Sequence, residues 1–213
     1  GKLRAQLAVI EPAADMTFVA CRANLVDERG NDTGDIYRGA APAVGPEAWR
    51  TLLEYPCVAT PSVLARRSAL VEAGLFNPWL PVAEDQDMWI RLSLQGSVGY
   101  VPETYVIVYS TPHSLSKANI RRQAEILVPL IHAHVDRNLH RLSRAQVRRI
   151  LGERLGRLGR WAYERGEFGL GLATLARAVF YGYSLLGAIN CILRPRVALQ
   201  WFKRSADTAD ELA

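Results

Sequence analysis

VAEDQDMWIRL, residues 82–92, sets Glu84, Asp85 and Asp87 within four positions and follows them with an apolar run at helical spacing. An acidic residue suits the start of a helix, where free N–H groups and the dipole favour negative charge. One is enough for that purpose. Three repel one another, and the repulsion needs an offset from an arginine, a metal ion or a bound hydroxyl group. The spacing predicts a helix over about 84–95 that stops near Gly96. A carboxylate fixed at its start is suited to accept a proton from an alcohol, with Trp89 four residues beyond Asp85 as an aromatic neighbour. Hydrolysis of a glycoside by two carboxylates is also compatible with these residue types, and needs a second carboxylate at a fixed separation.

Outward from this stretch the chain alternates between periods. Leu3, Leu7 and Ile10 predict a helix over residues 1–10, closed by Pro12. TFVACRANLV (17–26) reads as a strand and DERGND (27–32) as the turn of a hairpin or the strand's exit. Residues 39–49, GAAPAVGPEAW, read as a Gly/Pro loop. SVLA (62–65) suits a short buried strand, Arg67 to Ala73 a helix, and Gly74 its left-handed stop. NPWLP is a turn, and SVGYVP and YVIVYS read as two more short strands. The fold class expected up to residue 116 is therefore α/β.

Beyond residue 116 the strand signal ends. Ile120, Ala124, Leu127, Ile131, Val135 and Leu139 predict one amphipathic helix that Pro129 should kink. RAQVRRILGERLGRLGRWAYERG predicts a second, Gly166 breaks it, and FGLGLATLARAVFYGYSLL predicts a third. Leu155, Gly159, Gly166 and Ala178 stand in the register of one tetratricopeptide-like unit, so a helical hairpin is expected there. Residues 178–193 lack any charge but number 16, short of a membrane span, so a buried helix is expected, with a basic-flanked interfacial helix on anionic lipid as the alternative.

Composition bounds the rest. The 213 residues are 49% apolar, enough for a substantial core. No basic stretch with an apolar core and cleavage site opens the chain, and Cys21, Cys57 and Cys191 follow neither disulfide nor zinc spacing. A cytoplasmic setting is the expectation. Residues 1–116 hold 9 Lys/Arg against 13 Asp/Glu, a net −4, whereas residues 117–213 hold 17 against 8, a net +9. An acidic mixed region thus precedes a basic helical tail, for which an anionic membrane surface is a candidate partner and nucleic acid is not.

PSVLARRSALVEAGLF, NPWL, AEDQDMWIRLSLQG and VPETYVIVYSTPHSLS follow one another within residues 61–116. Together they resemble the second half of the catalytic domain of family 2 glycosyltransferases, which have the GT-A fold. The resemblance implies a partial GT-A-like domain over 1–116 and stops near residue 117; the all-α tail over 117–213 is expected from periodicity alone. The resemblance makes Asp85, the Asp of the family's ED motif, the catalytic base that deprotonates an acceptor hydroxyl during inverting transfer from a nucleotide sugar. Glu84, Asp87, Trp89, Arg66 and Arg67 become expected substrate-binding residues, and His113 an expected metal or diphosphate contact. A glycan or lipid-linked acceptor at the inner face of the membrane is implied.

Two departures stand out: Ser110 replaces an arginine common after the tyrosine, and no QxxRW motif follows, which favours transfer of a single sugar. GKLRAQLAVIE resembles the segment following the family's DXD motif, whose Mg2+ or Mn2+ belongs to the complete enzyme. The isolated chain is accordingly expected to bind nucleotide sugars poorly and to turn nothing over. A helical interaction or membrane-docking module without catalysis of its own is the alternative expectation.

Overall fold

An eleven-residue apolar strand, β1 (Met16–Val26), organises the first part of the molecule. Its residues from Thr17 to Cys21 are all buried, the pattern of a strand covered on both faces. On one face Val19 and Cys21 join Ile10 and Val101 in a cluster roofed by helix α1 (Lys2–Ile10). On alternate positions Phe18 reaches the other side and packs on Trp89, with ring centroids 5.6 Å apart. The computed structural model describes residues 1–37, 42–111 and 119–193. Its contacts separate two units, Gly1–Ala118 and Asn119–Ala213.

The described part of the first unit is mixed α/β with a four-stranded sheet. Strand β2 (Asp32–Asp35) returns antiparallel to β1 around a turn in which Asp27 accepts from the Arg29 and Asn31 amides. The short strand β3 (Leu64–Ala65) also pairs antiparallel, while β4 (Ser97–Tyr109) runs parallel along the length of β1. Between them lie α2 (Ala48–Glu54), a 3-10 turn at Thr60–Ser62, α3 (Arg67–Glu72) and α4 (Glu84–Gln95).

Three expectations change. SVGYVP and YVIVYS form one strand, because the long partner β1 carries the ladder past Pro102 and the register jumps from Cys21↔Val101 to Arg22↔Thr104. Proline has no N–H to give the ladder, so the strand bulges there rather than ending. The 39–49 loop is overtaken at its end by α2, whose Trp49, Leu52 and Leu53 are buried. SVLA yields only two strand residues, its first residue closing the 3-10 turn.

Buried polar side chains fasten these pieces. Gln6 on α1 donates to the carbonyls of Val19 and Ser62, at 3.1 and 2.8 Å, and so ties the helix to β1 and the 3-10 turn. Between α4 and β4 the chain passes at Gly96, where an added Cβ would stand 2.1 Å from the Asp15 carbonyl oxygen. That oxygen accepts from the Ser97 amide and sets the first rung beside β1. Gly96→Ala is expected to lower the urea midpoint by an amount worth about 2–3 kcal/mol. An unchanged midpoint would remove this close approach from the account.

The described part of the second unit is all helical: α5 (Ile120–Arg137), a 3-10 turn, α6 (Arg144–Glu164), α7 (Phe168–Phe180) and α8 (Leu185–Leu193). Ile120 and Ala124 of α5 pack with Leu158 and Ala162 of α6, and Pro129 lies inside a continuous α5. Ser143 and Gln146 form a capping box at the start of α6. Gly159 and Gly171 let α6 and α7 approach, each facing the other's backbone at about 3 Å from a would-be Cβ. The expected third helix divides, because the chain turns at Gly182 (φ +94°) and begins α8.

Candidate functional site

Helix α4 starts without a side-chain cap: its N-cap is Ala83, held left-handed at φ 62°. A non-glycine residue there costs about 1 kcal/mol, and such strain gathers where a side chain must be aimed. Glu84, Asp85 and Asp87 follow in the first turn, and the structure separates them into different environments.

Asp87 is 5% exposed, and its Oδ2 accepts from Nε and Nη2 of Arg91 at 2.9 and 2.7 Å. Arg91 also donates to the carbonyls of Ala73 and Leu75, pinning the exit of α3. Asp87 is thus committed to an internal clamp rather than to substrate. The expected arginine offset exists, but it comes from Arg91 on the same helix and not from Arg66 or Arg67.

Asp85 is half-buried and, among the described residues, has no cationic hydrogen-bond partner. Its Oδ2 accepts from the Thr60 hydroxyl at 3.0 Å, and its Oδ1 accepts from the Gln86 amide at 2.7 Å. Both contacts fix the carboxylate, and each oxygen keeps a further lone pair. Thr60 is itself placed by the 3-10 turn, in which Ser62 Oγ donates to the Ala59 carbonyl while Gln6 holds the Ser62 carbonyl. Glu84 is exposed beside them.

Other expected site residues have structural occupations. Trp89 is 4% exposed and wedged between Phe18 and Phe76, so its ring faces the core and offers no face to a sugar. Arg66 donates to the carbonyls of Met16, Ile10 and Ala13, closing the α1–β1 corner. Arg67 stands exposed at the first position of α3. His113 lies outside the described residues.

Sequence reading missed a second group near Asp85. Tyr37 has its hydroxyl buried without a hydrogen-bond partner among the described residues. Burial pushes this phenol far above its ordinary range, and the charges of Cys57, Asp85 and Asp35 push it further. The hydroxyl therefore keeps its proton at every working pH. Asp35 accepts from the Tyr37 amide at 2.7 Å, and Tyr55 donates its hydroxyl to the Tyr37 carbonyl at 3.0 Å. Tyr37 and Tyr55 stand far from Asp85 in the chain and carry no motif, which is why spacing alone could not find them.

Asp85-Gln86-Asp87 has the spacing of a carboxylate pair for a divalent cation, but Arg91 occupies Asp87. Among the described residues no group of three or more His, Cys, Asp or Glu is gathered for a metal. These side chains do not fit Mg2+ or Mn2+. The arrangement offers one fixed basic oxygen, one neutral hydroxyl donor in its field, and a half-open start of a helix. No protein-family model and no curated protein matches the chain.

Proposed function

We propose that the first unit is the acceptor side of an inverting glycosyltransferase of GT-A type. An acceptor hydroxyl of a glycan or lipid-linked sugar attacks the anomeric carbon of a nucleotide sugar. The new C–O bond forms as the bond to the nucleotide's diphosphate breaks, and the hydroxyl proton passes to Asp85. The observation that carries this reading is the isolation of Asp85 from its acidic neighbours. Asp87 is spent on Arg91, whereas among the described residues Asp85 is held by a hydroxyl and an amide and by no cation, which leaves its charge for a proton. The order of motifs across residues 61–116 supports it. Tyr37 donates to the same acceptor, which supplies the partner its buried hydroxyl lacks among the described residues.

The test is transfer by the full-length protein from a panel of UDP- and GDP-sugars, with the anomeric configuration of the product read by NMR. Inverted product is expected, and retained configuration overturns the single-displacement reading. In the same assay Tyr37→Phe should lower kcat/KM about tenfold, the size of one hydrogen bond made in the transition state. Its stability should stay level or rise, because the variant removes a buried unpartnered hydroxyl. Unchanged kcat/KM would exclude Tyr37 from the site.

A further inference from the structure

The second unit carries an apolar face that Asp85 chemistry does not explain. At the end of α7 Phe180 is 78% exposed, and on α8 Leu185, Leu186 and Leu193 are 59%, 73% and 71% exposed. Ile189 and Ile192 lie on α8 too, which buries only Ala188. No charged residue interrupts this stretch from Ala178 to Leu193.

A basic cleft of about 390 Å³ adjoins it, lined by Arg148, Arg149, Glu153, Tyr181, Gly182 and Tyr183. Arg148 donates one N–H to the Phe180 carbonyl at 3.3 Å, which holds its cation at the end of α7. Tyr183 is packed over Gly156 and bonded by Arg160 at 3.2 Å, so the cleft wall is firm. Around it, residues 119–193 hold twelve arginines, no lysine and five carboxylates, a net +7. Guanidinium groups suit phosphate because the planar fork can donate two bonds at once.

We infer that α8 and the Phe180 turn dock this unit onto the surface of an anionic membrane, with a lipid phosphate in the Arg148–Arg149 cleft. Nine residues of α8 extend about 14 Å, against a hydrocarbon core of about 30 Å. Among the described residues no helix is long and apolar enough to cross a membrane. The helix therefore lies in the interface, its leucines and isoleucines toward the acyl chains and the arginines at headgroup level. Charge complementarity selects this occupant: an apolar face bordered by arginine matches anionic lipid, whereas nucleic acid would gain nothing from exposed leucines.

The test is co-sedimentation of the full chain with phosphatidylcholine vesicles, alone or containing 30% phosphatidylglycerol. At least tenfold tighter binding to the anionic vesicles is expected, falling in 0.5 M NaCl. Leu186→Glu with Leu193→Glu should abolish it without lowering the melting temperature, since both side chains are exposed. Arg148→Glu with Arg149→Glu should erase the preference for phosphatidylglycerol. Equal binding to both vesicles, or binding unaffected by the leucine variants, overturns the inference. So does a dimer in light scattering that the leucine variants dissolve, a melting temperature they depress while vesicle binding persists, or tighter binding to an RNA oligonucleotide. None of these readouts depends on sugar transfer.

Discussion

Asp85→Asn is expected to lower kcat for sugar transfer by about 10²–10⁴-fold, the contribution a positioned general base makes. The substitution keeps the shape of the side chain. An amide oxygen still accepts from Thr60 or from the Gln86 amide, so the start of α4 should hold its geometry. What is lost is the charge and the ability to take a proton. Donor binding, and the acceptor KM to the extent that it reports binding, should move little, because the base acts on the proton in flight and not on the resting complex. Stability should fall by no more than about 1 kcal/mol, the worth of the one accepted hydrogen bond that an amide cannot keep. Near-normal turnover in a folded Asp85→Asn protein sinks the proposed reaction, whatever becomes of the membrane surface on the second unit.

The helix at 84–95 was readable because its signals agree: acidic residues at the start, apolar spacing through Met88 and Leu92, and a glycine at the end. β1 was readable for a similar reason, as a run of β-formers between proline and a turn. What spacing could not show was the division of labour among the carboxylates. Arg91 stands four residues after Asp87, the ordinary distance of a helix ion pair, yet its larger task is to hold two carbonyls from a different segment. The resemblance directs Arg66 and Trp89 toward substrate, whereas tertiary packing gives them corners of the core. Local pattern also erred at Pro102, where a strong parallel partner outweighed a residue that usually ends a strand. The α2 helix was hidden because a Gly/Pro-rich run leads straight into it, and its burial of Trp49 and Leu53 is settled by distant segments.

Asp87→Ala should do the opposite of Asp85→Asn, costing stability first. The Arg91 side chain is 20% exposed and the Asp87 side chain 7%, so removing the carboxylate strands a largely buried guanidinium. Breaking one side of a buried pair costs about 3–5 kcal/mol, chiefly through the charge left without its counterpart. Arg91→Met should cost at least as much, because it strands the Asp87 carboxylate and also takes the donor from the Ala73 and Leu75 carbonyls. The double variant should therefore be more stable than the sum of the singles, with a coupling above about 1 kcal/mol in a denaturant-based cycle. Additive losses would show that the pair does not act as a unit.

Activity divides the possibilities further. Leu75 and Ala83, the two left-handed non-glycine residues among those described, lie in the segment between α3 and α4, and Arg91 binds the carbonyl of Leu75. Loosening that clamp should let Ala83 relax toward an ordinary conformation and turn Asp85 off its line to the acceptor. Asp87→Ala should then lose activity in step with local order, and the loss should ease when temperature is lowered or a stabilising osmolyte is added. An Asp87 variant that stays fully folded and loses all turnover, beside an Asp85 variant that loses none, would exchange the roles of the two carboxylates. The proton would then have to reach a buried side chain whose Oδ2 already accepts two N–H groups of Arg91.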